Sequence, residues 1–351
     1  MRADDLKRLA LESGFDLAGI APADPIPEHD WYTEWVRRGY AAGMSYLTDH
    51  RAAMRSGARS LLPSARSVLC VGKLYGGPHP HTNEFGDAGR AWISRYAWGD
   101  DYHEVMRAGL ERIAAQLPPC EWKICIDTAP LLERALARRA GLGWIGKNSC
   151  VINQQSGSWF FLGELITSLT LEFDTPPPDR CGTCTRCIEA CPSGAIVTTG
   201  RSKPAWTVDS RLCVSYLTIE SRGVTPEPVR PAVGRHVFGC DICQDVCPWN
   251  ARVVSEVDPA FAPREIAPPL ERLASLSEEE FRRLYRGTPM LRARYSGFLR
   301  NVAVAMGNAG LPRFRAPLER LAAHDDPLVR EHANWALGRL RDQTAPSRKE
   351  N

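Results

Sequence analysis

Eight of the chain's twelve cysteines fall between Cys181 and Cys247, seven of them in two runs that end alike. The first is Cys181-x2-Cys184-x2-Cys187-x3-Cys191 followed by Pro192, and the second is Cys240-x2-Cys243-x3-Cys247 followed by Pro248. The first run has bacterial ferredoxin spacing, in which three thiolates hold one [4Fe–4S] cube and the cysteine before proline reaches a second cube. The second run lacks its first ligand, and Cys213 supplies it across an inserted loop. Crossed ligation puts Cys181, Cys184, Cys187 and Cys247 on one cluster and Cys191, Cys213, Cys240 and Cys243 on the other, close enough for electron hopping. Zinc is the alternative, but a zinc knuckle uses two CxxC pairs per ion and has no use for the third cysteine of each run. Cys70 and Cys125 lie in apolar runs and read as core packing.

The opening residues, MRADDLKRLALESG, carry charges where a signal peptide needs an apolar core, and no twin-arginine leader is evident. The apolar stretch 159–173 is too short to span a bilayer and contains Glu164. The expectation is a cytoplasmic monomer with no membrane partner, whose cysteines bind metal rather than pair as disulfides. Charge is unevenly spread. From Phe281 to Asn351 there are 14 Lys and Arg against 6 Asp and Glu, whereas the rest holds 30 against 35. A basic end on an acidic body suits a polyanionic partner, although a solvated helical surface gives the same count.

The alternation of elements predicts a multidomain α+β protein. Residues 1–174 alternate helical patterns (4–13, 103–116, 129–140) with short β-rich runs (67–72, 122–127), as in an α/β layered domain. The prolines of 174–180 mark a linker. A ferredoxin-like, two-cluster segment occupies 175–258, and a second proline-rich stretch, 259–269, opens an all-helical end at 259–351. Patterns around Asn301 and Asn334 recur at the length of a HEAT-type helical hairpin. On this reading the helical end is separable, and a chain cut near Pro269 keeps its clusters.

Asp127 is the candidate acid. It ends an apolar strand just before a helix, where apolar neighbours would raise its pKa and make it a proton donor. An aspartate there is equally suited to cap the helix. His103 is a conceivable metal ligand, although a histidine satisfying its own turn is the plainer reading. The glycines of GLGWIGKN (Gly141, Gly143, Gly146) follow a helix instead of opening one, so they are not a dinucleotide fingerprint. They would let backbone approach a large ligand.

ISRYAWGDDYH (93–103), DTAPLLERALARRAGLGWIGKNS (127–149), GSWFFLGELIT (157–167), the cysteine runs and LCVSYLTIESRG (212–223) closely resemble the epoxyqueuosine reductase family. The resemblance implies reduction of epoxyqueuosine to queuosine at the wobble position of a tRNA with a GUN anticodon. It implies cob(I)alamin fed by two [4Fe–4S] clusters, base-off cobalamin in the first domain, and a low-potential electron donor. It further implies a HEAT-like domain that helps hold the anticodon stem-loop. Asp127 matches the family's proton donor. By the same resemblance Val151 and Ser215 face the corrin and Arg222 meets RNA. A reductive dehalogenase is the rival enzyme, and an electron-transfer protein is the rival from another class.

Overall fold

The computed structural model describes residues 1–201, 204–251 and 258–344. Its first layer is a four-stranded sheet in the order Leu17–Pro22, Ser67–Leu74, Phe160–Thr167, Trp122–Cys125. Every pairing is antiparallel. The two inner strands read SVLCVGKL and FFLGELIT, apolar almost without interruption, because both their faces are covered. On one face, helices Ala3–Glu12 and Tyr102–Ala114 lay Leu6, Met106, Leu110 and Ile113 over Leu69, Val71 and Leu165. On the other, helix Glu133–Arg139 lays Ala135 and Leu136 over Val68, Cys70, Cys125 and Ile166. Cys70 and Cys125 are buried there, as core residues.

The helix–sheet–helix layering matches the alternation of patterns, but the sheet is not the parallel kind whose strand ends mark a ligand site. Alternation along a chain does not fix strand direction. Phe160–Thr167 arrives last in sequence and inserts between two earlier strands, antiparallel to both. The helix expected from Ala129 begins at Glu133, since Pro130 and a turn intervene.

The cysteine-rich segment folds as short helices, among them Arg186–Glu189, Val214–Ile219 and Ile242–Asp245, with a two-stranded ribbon of Ile196–Thr198 and Trp206–Val208. Beyond it come helices Leu270–Ser275, Glu278–Leu284, Arg294–Ala309, Arg315–Ala322 and Pro327–Thr344. Ser277 and Glu280 form a reciprocal cap on the second of these. Gly307 allows Arg294–Ala309 to press on the last helix, since a Cβ there would lie 2.8 Å from that of Ala336.

Helix Arg294–Ala309 is buried on all sides from 297 to 307. Its neighbours come from all three stretches of the chain. Ala91, Ile93 and Trp98 of the first stretch and Ile219, Val237 and Phe238 of the second share one core with Phe298, Val302 and Met306. The short strand Trp92–Ile93 pairs in parallel with His236–Phe238 beneath that helix. Arg300, wholly buried, donates to the carbonyls of Leu217, Ser221 and Gly223, and Asn301 donates to those of Thr218 and Val237. In return, Phe261 packs into the core of the first layer. Among the described residues no helix is long and apolar enough to cross a membrane.

Candidate functional site

The fold sorts the cysteines of the two runs, with Cys213, into two groups. The Cys187 thiol is surrounded electrostatically by Cys181, Cys184 and Cys247, and Cys247 by Cys181 and Cys184. Cys240 faces Cys213 and Cys191, and Cys243 faces Cys240 and Cys213. Among the described residues no three His, Cys, Asp or Glu side chains converge tightly enough for a single metal ion. The residues fit a pair of cubes, since each group gathers four thiols, the donor set of one [4Fe–4S] cluster. Cys150, unassigned from sequence, lies within reach of Cys187, Cys247 and Cys243, against both groups.

The GLGWIGKN loop braces this cradle. Lys147 donates to the carbonyls of Gly182 (2.8 Å) and Cys184 (2.9 Å), and Asn148 donates to that of Cys243 (3.2 Å). Trp144 packs edge-on against Trp249 beside Cys247. Two of the loop's glycines allow its backbone to press on the strand that follows. A Cβ at Gly143 would lie 2.3 Å from the Ile152 carbonyl oxygen, and one at Gly146 would lie 2.5 Å from the Ile152 side chain.

Asp127 stands two residues past the edge strand Trp122–Cys125, with φ 48°, a left-handed conformation that costs a non-glycine residue energy. It does not cap the following helix, whose N-cap is Leu132. Its side chain is 52% exposed, and Oδ2 lies 3.5 Å from Nε2 of His103. The other ring nitrogen of His103 is 2.8 Å from Oδ1 of Asp101, the N-cap of helix Tyr102–Ala114. Hydrogen bonding to Asp101 and Asp127 pushes the imidazole up to about 9. Partial burial pushes the Asp127 carboxyl up, but hydrogen bonding and charge attraction from His103 outweigh it and hold it below the ordinary aspartate value. The expected raised pKa is therefore reversed. At neutral pH the proton sits on His103, between two carboxylates. His103 does satisfy its own turn, as the plainer reading had it. Its second nitrogen, which no sequence signal beyond the DYH spacing could have placed, reaches Asp127.

Other segments surround that pair. Tyr46 is pushed up to about 12 by burial first, and then by Glu220, and it feels both Arg292 and Asp127. Arg292 pairs with Glu220 at 2.7 Å. The Tyr216 hydroxyl accepts from the Gly43 N–H at 2.9 Å, fastening the Tyr46 loop to helix Val214–Ile219. Ser215 is half-buried on that helix, one residue past its N-cap-adjacent start at Val214. Arg134, on the helix after Asp127, acts electrostatically on Cys150 and Cys213, so the second cysteine group borders the same region. Val151 is buried in the first core and pairs with Ile145. Arg222 is exposed, donates to the carbonyls of Ile219 and Ala293, and neighbours Arg292 and Arg294.

The chain is 42% identical over 342 residues to an epoxyqueuosine reductase of Xanthomonas campestris pv. campestris, covering 95% of this chain and 94% of that one. The chain belongs to the epoxyqueuosine reductase family. The similar enzyme of Escherichia coli K12 is 37% identical across 95% of this chain and 88% of its own. The family model "Epoxyqueuosine reductase QueG, DUF1730" matches residues 55–128, and "4Fe-4S double cluster binding domain" matches 180–250. The crystal structure of an epoxyqueuosine reductase with a tRNA-Tyr epoxyqueuosine-modified stem loop superposes with TM-score 0.86 at 29% identity, covering 96% of this chain and 89% of that one. A Bacillus subtilis epoxyqueuosine reductase, with its aspartate catalytic loop swung out of the active site, superposes with TM-score 0.85 at 29% identity, covering 96% and 90%.

Proposed function

We propose that this oxidoreductase reduces epoxyqueuosine to queuosine in tRNA, with Asp127 as the proton donor, and that base-off cobalamin would supply the reducing centre and two [4Fe–4S] clusters the electrons. The observation that carries the site assignment is the Asp127–His103 pair, with the Asp127 carboxyl half-exposed. The conversion is an epoxide plus two electrons and two protons giving an alkene and water. Bound cobalamin would supply a reduced cobalt centre as the nucleophile toward the epoxide. His103, protonated at neutral pH, would pass its proton to Asp127, which would hand it to the oxygen leaving the ring. Ser215 would lie between cluster and corrin. Val151, whose side chain is spent in the core, would meet the corrin through its backbone. We take the Asp127 turn as the counterpart of the loop that swings in the Bacillus subtilis enzyme.

Two clusters call for about eight irons per chain, four per cube. Cys184→Ala and Cys243→Ala should each remove about half, because the two cysteines lie in different groups. Iron and sulfide analysis of anaerobically reconstituted protein checks this, and stoichiometric zinc with little iron would overturn it.

The substrate base must leave its stack to reach Asp127, since a helical stem keeps its bases inside. The exposed guanidinium cluster of Arg222, Arg292 and Arg294 on one rim is suited to the phosphates of the anticodon loop, with the HEAT-like helices beyond it. Arg222→Ala and Arg294→Ala should each weaken stem-loop binding and lower the slope of log affinity against log salt by about one. Unchanged affinity and slope in both variants would move the RNA site elsewhere.

A further inference from the structure

The Asp127–His103 pair stands at the end of a column of aromatic rings. The Tyr102 ring lies parallel to Phe161 of the central strand, with centroids 4.3 Å apart and planes 5° apart. It also stacks on His103, with centroids 4.2 Å apart and planes at 27°. Two rings cannot share one face at that spacing, so Tyr102 lies between them. Successive residues on a helix ordinarily point away from each other, which makes a stack of these two neighbours a specific arrangement. Phe161 is itself held, by Tyr75 at 4.3 Å and by Phe261 at 5.0 Å.

The imidazole is anchored at one corner. Oδ1 of Asp101 accepts from the His103 backbone N–H at 3.0 Å and lies 2.8 Å from Nδ1. The other nitrogen, Nε2, is shut off from solvent and lies 3.5 Å from Oδ2 of Asp127, at the outer limit of a hydrogen bond. The tilt of the ring therefore decides whether those two atoms meet.

We propose that Tyr102 is a positioning residue: its ring, backed by Phe161, sets the tilt of His103 toward Asp127 and offers the imidazolium an aromatic face. The inference rests on the assignment of Asp127 as proton donor.

The groups around His103 leave that work to the ring. Asp101 holds Nδ1 and Asp127 faces Nε2, both at the edge of the imidazole. The Asp127 turn is held from behind, where its N–H donates to Oε1 of Glu133 at 2.6 Å. Arg292 acts on Asp127 from the helical end. The contact on the imidazole face is Tyr102. A cation against an aromatic face is attracted by the ring quadrupole, so the stack favours the charged histidine. The Tyr102 hydroxyl faces Asp127 as well. Tyr102→Phe, which keeps the ring and loses the hydroxyl, separates the two roles.

The His103 ring protons, assigned with His103→Gln, read the stack by NMR in full-length protein without cobalamin or RNA. An aromatic face displaces protons above it upfield, and wild-type His103 should show that displacement, a result that needs no variant at position 102 to fold. Tyr102→Leu should abolish it and lower the His103 pKa by about half a unit to one unit, while Tyr102→Phe keeps both. In turnover of the complete enzyme, Tyr102→Leu should lower kcat about tenfold or more with KM for the stem-loop unchanged. On an Asp127→Asn background it should cost nothing further, because it acts through the pair. A wild-type His103 without the upfield displacement, a Tyr102→Phe that loses as much as Tyr102→Leu, or a Tyr102→Leu loss that simply adds to that of Asp127→Asn would each overturn the proposal. Asp127→Asn turning over at the wild-type rate would instead sink the assignment of Asp127, with the stack still standing in the NMR spectrum.

Discussion

Asp127→Asn should lower turnover by about two orders of magnitude or more, the usual contribution of a positioned acid, while the iron content stays at the wild-type level. The substitution is nearly isosteric. Asparagine tolerates the left-handed backbone at φ 48° at least as well as aspartate does, so the turn is retained. The N–H that Glu133 holds belongs to the backbone and survives the change. The variant loses only a group able to carry a proton and a charge facing His103. His103 keeps Asp101, its larger partner, so its pKa should fall from about 9 but remain above the ordinary 6.5. The sign extends to stability. A histidine raised on folding stabilises the native state fully below about 6.5, and that contribution is lost as pH climbs through about 9. Asp127→Asn should therefore narrow this window from its alkaline side. Single-turnover epoxide reduction, with a histidine titration followed by NMR, tests both statements. Wild-type turnover in the variant would remove Asp127 from the proton path.

What could be read from the chain beforehand was local chemistry. Cysteine spacing is set by covalent reach around a cube, so the thiol groups are legible without a fold. The apolar run of 67–72 announced a buried strand because a covered strand has little choice of residue. The failures concern relations between distant segments. Strand direction is one, since nothing in SVLCVGKL or FFLGELIT tells which way its neighbour runs. The partners of Asp127 are another. Its pKa was expected to rise from apolar neighbours, and it falls because helix Tyr102–Ala114 brings His103 over from a remote part of the chain. Glu164 is the plainest case. In sequence it is a charge that spoils a membrane span, and in the fold it is a buried acid at the centre of the sheet. The contact of Gly143 and Gly146 with Ile152 was likewise not legible in the sequence.

Deleting residues 270–351 should destroy the fold of what remains, contrary to the expectation that a cut near Pro269 leaves the clusters intact. The prolines at 259–269 mark where helices begin, but not where contacts stop. The deletion removes Leu270, Phe298, Val302 and Met306 from a core that also holds Trp98, Ile219, Val237 and Phe238. Truncating one large core side chain costs about 2–5 kcal/mol, and whole-domain stability is about 5–15 kcal/mol. Losing four or more such side chains exceeds that reserve. The polar contacts point the same way. Arg300 and Asn301 between them satisfy five carbonyls, at Leu217, Thr218, Ser221, Gly223 and Val237, and the deletion removes both donors along with the side chains that cover them. Leu217 and Thr218 lie on the helix whose N-cap is Cys213, so the damage passes directly to the second cysteine group. The truncated chain should be insoluble or iron-poor, and the full chain should unfold in one cooperative transition in which iron loss and helix loss coincide. Asn301→Ala, a milder change, should lower the midpoint of that single transition and not split it. A soluble truncated protein with its full iron would show that the helical end folds separately. The shared helix Arg294–Ala309 argues otherwise, because the residues that would grip RNA and those that shape the cluster cradle are held by the same buried surface.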